Sequence, residues 1–437
     1  MYQEVSRLLV YRDLPKDEIL IKLASVFHDF DKQQADDDDL ISRIYEQIKR
    51  LLDISTKYGF DNNLWHCYLT FLLVTNENSF TLTCEKKGPQ DGGSINHFAQ
   101  SDMELFLTLF HYNFKPIEDA LHIDCFTTIS NYHAITKTER MYNKNVSEKV
   151  CTLAKAIAQA KNGTEAFSII TTFYKDYGVG MFGLNKAFRI KEAGEDIEFL
   201  PINNMETVLL DDLIGYASQK QELIDNTEAF VQGRTSNNVL LYGEPGTGKS
   251  TSIKAIVNEY YASGLRMIEI YKHQFKDLST IIAKIKNRNY RFIIYMDDLS
   301  FEEDETEYKF LKAVIEGGVE TKPDNVLIYA TSNRRHLIKE TWRDRNDVIE
   351  EQDMHISETM QEKLSLVARF GISIYYGKPS PKEYHTIVQE LVKRYPQIKI
   401  DEQELWRLAN QWELKHGGVS GRTAQQLVNY LAGKLQQ

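Results

Sequence analysis

NNVLLYGEPGTGKSTSIKAIVNEYY, residues 237–261, decides how this chain folds. The run NNVLLY has the length and β-preference of a buried strand, and it stops at a glycine. Gly243, Glu244, Pro245, Gly246, Thr247, Gly248, Lys249 and Ser250 then satisfy G-x-x-x-x-G-K-[ST], with Thr251 directly behind. Ile253, Ile256, Val257 and Tyr260 follow at helical spacing, so strand, loop and helix come in the order the pattern needs. The glycines of such a loop let backbone N–H groups curl around phosphates at a helix N-terminus. Lys249 would reach the β- and γ-phosphates of a nucleotide, and the Ser250 hydroxyl would ligate Mg²⁺.

Four more β-rich runs lie downstream: RMIEIY (266–271), RFIIYMD (291–297), NVLIYATSN (325–333) and ISIYYG (372–377). Helical segments at 249–261, 274–287 and 304–316 separate the first four strands, and another is expected at 358–368. Five short strands divided by helices predict an α/β core, a five-stranded parallel sheet covered on both faces. Past the last strand, Ser380 and Pro381 mark a helix start, and Tyr384, Ile387, Val388, Leu391 and Val392 recur at helical spacing. Further helices at 402–415 and after Ser420 complete a small C-terminal helical lid over 378–437.

The strand ends supply the remaining polar groups. RFIIYM runs into Asp297 and Asp298, and a carboxylate at a neighbouring strand end can hold Mg²⁺ through water, which fits Asp297. Asp298 stands where an acid can orient an attacking water, one methylene shorter than the more usual Glu. Asn333 ends NVLIYATSN, where an amide can hold a phosphate or that water. Arg369, in LVARFGISIYY, and Arg422, in GGVSGRTAQQLV, are the cations left for a nucleotide site. Each has a bland reading too: Asn333 as a turn residue, the arginines as ion-pair partners, and Glu302 to Glu305 as a solvated loop.

Residues 1–190 read as a mainly α-helical domain of unknown role, joined by a linker at 191–204 to the nucleotide-binding core at 205–377. Ile41, Ile44, Ile48, Leu51 and Leu52 set one helical face, and Asp36 to Asp39 read as its start. Gly178, Gly180 and Gly183 match G-x-G-x-x-G, but the segment behind them is too short for a dinucleotide unit, so a structural turn is expected. The 437 residues are 42% hydrophobic and 26% charged, a globular balance. The 52 Lys+Arg against 63 Asp+Glu give a net charge of −11, and no half of the chain is a basic nucleic-acid module. Lys272 to Lys286, with Arg288 and Arg291, is the most basic stretch; it reads first as a solvated helix face and second as a nucleic-acid patch.

No window approaches ~18 apolar residues, and MYQEVSRLLVYRDLPKDEIL lacks the apolar core of a signal peptide, so a cytoplasmic protein without a membrane span is expected. Cys67, Cys84, Cys125 and Cys151 show no C-x-x-C spacing; four cysteines could form disulfides or a metal site, but they read first as inert buried thiols in a reducing compartment.

In this order the motifs make residues 205–437 resemble an AAA+ ATPase. DDLIGYASQK resembles the segment that wraps adenine, through Leu213, Ile214 and Gly215. Gly243 to Ser250 matches Walker A, Asp297–Asp298 Walker B, Asn333 sensor 1 and Arg422 sensor 2. Arg369 matches the arginine finger that acts across a subunit boundary, with Arg343 and Arg345 as weaker claimants. More narrowly, GLRMIEIYK, DDLSFEEDETEYKFLKAVIEGG, NVLIYATSNRRHLIKE, EKLSLVARFGISIYY, SGRTAQQLVNYL and YGVGMFGLNKAFRI resemble domain-of-unknown-function family 815. That family's pattern also has Asp–Asp at Walker B.

The resemblance implies ATP and Mg²⁺, ATP hydrolysis at subunit interfaces, and a homo-oligomer such as a hexamer. It further implies an unidentified protein client to be remodelled or loaded, with nucleic acid as a weaker partner class. The alternative is an ATP-dependent switch or scaffold with little hydrolysis, for which the shortened acid Asp298 speaks. A small-molecule kinase is a third reading, disfavoured by the lid and its SGRTA segment.

Overall fold

The computed structural model describes residues 1–89, 92–134, 144–194, 196–203, 205–301, 305, 307–316, 323–333, 337 and 366–434. The chain forms two compact units: Met1–Asn185 with Pro201–Asn204, and Lys186–Leu200 with Met205–Gln437.

The first unit is mainly helical among its described residues. Its helices are α1 (Tyr2–Arg7), α2 (Ile19–Asp31), α3 (Asp37–Tyr58), α4 (Leu64–Thr75), α5 (Ser79–Lys87) and α6 (Ser94–Phe110). They continue as α7 (Lys115–Leu121), α8 (Cys125–Ser130), α9 (Lys144–Ala158), α10 (Gly163–Tyr177) and α11 (Gly180–Leu184). The acidic run is a helix start, as read: Asp36 caps α3 by accepting from the Asp39 N–H at 2.8 Å, and three acids in the first turn oppose the helix dipole. Leu40, Ile44, Ile48 and Leu51 then bury one face of α3 in the core. The glycine motif is also the expected structural turn, since Gly178 caps α10 and Gly180 opens α11. The apolar FSIITTF before it belongs to α10, so no strand precedes those glycines.

The second unit holds a seven-stranded sheet rather than five strands. In chain order the strands are β1 (Ala187–Ala193), β2 (Asp196–Pro201), β3 (Val239–Gly243), β4 (Leu265–Glu269), β5 (Arg291–Met296), β6 (Val326–Ser332) and β7 (Ile372–Tyr376), and across the sheet they run β2-β1-β4-β5-β6-β3-β7. The extra pair runs from the end of the expected N-terminal domain through most of the stretch expected to be a linker, 191–204, and β1 pairs parallel to β4 with Ala187 opposite Met267. β1 lies just inside the edge strand β2 and buries only one of its faces: Phe188 and Ile190 point inward while Arg189 and Lys191 meet solvent, and the charges hide the strand from a hydrophobicity reading. The central strands show the opposite pattern, with every residue of β6 buried.

Helices α12 (Ala217–Val231), α13 (Lys249–Tyr260), α14 (Leu278–Ile285) and α15 (Tyr308–Glu316) accompany the sheet. The helix expected from 274 begins as a 3₁₀ turn, Lys272–Asp277. The one expected at 358–368 lies mainly outside the described residues. Lid helices α16 (Pro381–Lys393), α17 (Glu402–Lys415) and α18 (Gly421–Lys434) close on Tyr384, Ile387, Leu391, Leu405, Leu427 and Val428. Ser380 starts the lid with a reciprocal cap, in which its N–H donates to Glu383 Oε2 at 2.7 Å.

The basic stretch is an ion-paired surface. Lys272 pairs with Glu305, and Lys276 and Lys284 lie 2.8 Å from Glu192 and Asp196 on β1 and β2. Among the described residues no helix is long and apolar enough to cross a membrane.

Candidate nucleotide site

Parallel strands bring their carboxyl ends to one edge of the sheet, and β5, β6 and β3 are consecutive neighbours there. Asp297 and Asp298 leave β5, Asn333 leaves β6, and the glycine loop leaves β3. Asp297, Asp298 and Asn333, 47 or more positions from the loop in sequence, therefore gather beside it without any long reach. Together with the lid they line a pocket of about 700 Å³, within the ~300–1,000 Å³ usual for small-molecule sites. Pro245 to Thr251, Leu213, Ile214, Asp297, Asp298, Asn333 and Arg422 all face it, whereas Gly215, Gly243 and Glu244 do not line it.

Two glycines of the loop are fixed by close approach. Gly246 has φ +76°, and a Cβ there would come within 3.1 Å of Arg422 Cβ and Ser420 Oγ, because α18 starts against the loop and the Arg422 N–H donates to Gly246 O at 3.2 Å. Gly248 has φ +93°, and its Cβ would meet Leu213 Cδ2 at 2.7 Å. The segment before α12 is thus held against the loop. Lys220 Nζ donates to Leu213 O at 2.8 Å, and the Tyr216 hydroxyl donates to Gly377 O at 2.9 Å, fastening the same segment at its far end.

Lys249 is 6% exposed and uses all three of its protons: Nζ donates to Gly243 O at 3.0 Å, Glu244 O at 2.7 Å and Asn333 Oδ1 at 3.0 Å. Burial pulls its pKa below the usual lysine value, against the opposing pull of Asp298, Asp297 and Glu244. The nearby Arg422 cation adds to the lowering.

Asp297 is the hub of the acidic side. Its Oδ1 accepts from Ser250 Oγ at 2.7 Å and from Thr331 Oγ1 at 2.6 Å. Burial pushes its pKa up, but these hydrogen bonds outweigh that and hold it below the ordinary aspartate value. Asp298 sits in the left-handed region at φ +50°, uncommon outside glycine, and its N–H donates to Thr331 Oγ1 at 2.9 Å. Its Oδ1 accepts from Asn333 Nδ2 at 2.7 Å. Asn333 consequently bridges ammonium and carboxylate, carbonyl oxygen toward Lys249 and amide nitrogen toward Asp298.

The Ser250 and Asp297 oxygens form a pair of hard donors of the kind Mg²⁺ takes when it keeps several waters, beside a helix N-terminus suited to phosphate. These residues fit the nucleotide and the metal.

Thr331 escaped the sequence reading. Its one signal was a hydroxyl near the end of a mostly apolar strand, which looks like a buried threonine until β6 is set beside β5. Tyr216, Lys254 and Gln425, which also line the pocket, carried no pattern. Arg369 lies half-buried just before β7 and does not line this chain's own pocket. Arg343 and Arg345, with Arg334, Arg335, His336 and Glu302 to Asp304, lie outside the described residues.

The model of a family described as "Protein of unknown function (DUF815)" matches residues 184–435, more than half of the chain. Among curated proteins, the replication factor C large subunit of Methanococcus vannielii is 41% identical over 51 residues, 12% of this chain and 10% of that one. The human ATPase family gene 2 protein homolog A is 28% identical over 189 residues, 39% of this chain and 18% of that one. The chain thus spans under a fifth of the length of these two relatives. Among solved structures, the AAA domain of FIGL-1 in complex with ADP aligns over 53% of this chain and 75% of that one at 19% identity, with a TM-score of 0.37.

Proposed function

From the premise that the chain belongs to the DUF815 family and is built as an AAA+ protein, we propose that it binds ATP with Mg²⁺ and hydrolyses it between subunits of a homo-oligomer. The observation that carries this reading is the convergence of Lys249, Asp297, Asp298, Asn333 and Arg422 on one pocket.

Each residue has a task in that reading. The loop N–H groups and the Lys249 ammonium take the β- and γ-phosphates, Lys249 exchanging the Gly243 and Glu244 carbonyls for phosphate oxygens. Ser250 and Asp297 hold Mg²⁺, which supplies positive charge against the phosphate oxygens. Asp298 orients the attacking water and accepts its proton, while Asn333 positions that water from the other side. Arg422 carries the lid's response to the γ-phosphate, and Leu213 and Ile214 bound the adenine. Arg369 completes a neighbouring subunit's site, which accords with its absence from its own. Turnover then drives the remodelling or loading of a protein client.

A second reading rests on one specific contact: Asp298 is engaged by Asn333 and held at φ +50°, so the base is occupied in this state. On that reading the protein is an ATP-dependent switch or scaffold with little turnover. Turnover measured against protein concentration separates the two, for the wild type, Arg369→Ala, Lys249→Ala and a mixture of both variants. Turnover per subunit that rises with concentration, is lost in each variant and partly returns in the mixture supports shared-site hydrolysis. Background turnover with intact ATP binding and an ATP-dependent change of assembly supports the switch.

A further inference from the structure

Cys67 on α4 and Cys151 on α9 stand 84 positions apart in sequence, yet their sulfurs lie 3.5 Å from one another. Neither is bonded to the other in this state. A cavity of about 180 Å³ opens beside them, lined by both cysteines, Asp61, His66 and Lys155. It gives a small polar reagent access to sulfurs that are otherwise part of the helical core. From this contact and its opening we infer that Cys67 and Cys151 form a redox-responsive dithiol that closes to a disulfide when hydrogen peroxide enters the cavity.

The two cysteines are placed to act unequally. The two sulfurs share a hydrogen bond; with Cys67 as its donor the thiolate is favoured on Cys151 and disfavoured on Cys67, while burial opposes the first effect and adds to the second. Lys155, one turn further along α9, adds positive charge that favours a thiolate on either sulfur. The other two cysteines lack such help: burial pushes both Cys84 and Cys125 up to about 11. The inference sets the touching pair apart from the expected inert buried thiols; of the other two, Cys84 is buried and Cys125 half-buried.

The chemistry balances with one peroxide. The Cys151 thiolate attacks a peroxide oxygen, the O–O bond breaks, and Cys151 becomes a sulfenic acid while the departing hydroxide takes a proton to leave as water. Cys67 Sγ then attacks the sulfenic sulfur; the S–O bond breaks, the disulfide forms, and the hydroxide leaves with the Cys67 proton as a second water. Two thiols lose two electrons in total and the peroxide gains them. The sulfurs need to close from 3.5 Å to about 2.05 Å, a side-chain rotation for two groups already in contact.

The test titrates the reduced full-length chain with hydrogen peroxide, counts free thiols, and maps peptides without reductant. The inference expects the four thiols to fall to two, a single Cys67–Cys151 cross-link, and full recovery with dithiothreitol. Cys67→Ser should accumulate a sulfenic acid on Cys151 that dimedone traps, and Cys151→Ser should oxidise at least tenfold more slowly. The wild-type thiol count and map stand even if a variant misfolds, which circular dichroism would reveal. Four surviving thiols at excess peroxide, a cross-link through Cys84 or Cys125, or a cross-link between two chains would each overturn the inference.

Discussion

Replacing Thr331 by valine tests whether one buried hydroxyl organises the acidic side of the pocket. Valine keeps the shape and removes Oγ1, which donates to Asp297 at 2.6 Å and accepts from the Asp298 N–H at 2.9 Å. A hydrogen bond to a charged group contributes about 1.5–3 kcal/mol, and a stranded N–H costs about 1–3 kcal/mol where it is buried. Both carboxylates open onto a solvent-filled pocket, so water recovers part of each term and the low ends apply. We expect a loss of about 2 kcal/mol after the retained Ser250–Asp297 bond and partial rehydration are allowed for. For a unit of this size that lowers the melting transition by roughly 4–8 °C in calorimetry. Without Thr331, Asp297 is also less acidic, and Asp298 loses a tether at a backbone angle it does not favour. Mg²⁺-dependent binding of a fluorescent ATP analogue should therefore weaken by about tenfold, roughly 1.4 kcal/mol. Thr331→Ser, which keeps the oxygen, should bind nearly as the wild type. A melting shift below 1 °C in Thr331→Val, or serine and valine variants equally impaired in binding, would refute the reasoning.

Three further outcomes follow from the same contacts. Gly246→Ala should lower the melting transition by several degrees, since a left-handed alanine costs about 1–2 kcal/mol and its Cβ presses on Ser420 and Arg422; unchanged melting and ATP affinity would contradict the loop–lid contact. Lys249→Ala should cut ATP affinity at least a hundredfold by equilibrium dialysis, and it should free Asn333 from one of its two partners; affinity within threefold of wild type would remove Lys249 from the site. In alkylation by iodoacetamide, Cys151 should react at a lower pH than Cys84 and Cys125. Its thiolate is favoured by the Cys67 hydrogen bond, the Asp61 backbone N–H and the Lys155 charge, while burial pushes the other two up to about 11; the same pH profile for all three would deny the asymmetry.

Local patterns carried most of the second unit in the sequence. The glycine loop, the apolar strands 239–243, 291–296 and 326–332 and the Ser380–Pro381 cap each leave a signature within about ten residues, because buried strands must be apolar and helix starts must be capped. The outermost pair β1 and β2 did not, since β1 buries one face and wears charges on the other, and AFRIKEA reads as easily as a linker.

What the sequence by itself determined is the inventory: a phosphate loop, two acids at a strand end, an amide at another and an arginine opening a lid helix. The tertiary structure alone decided which of them touch. Asn333 bridges Lys249 and Asp298, Thr331 joins the two acids, and Cys67 meets Cys151, through pairings 84, 35, 34 and 84 positions apart. Such contacts depend on strand order and helix packing, which follow from the burial of every apolar face at once, and no window of local sequence contains that sum.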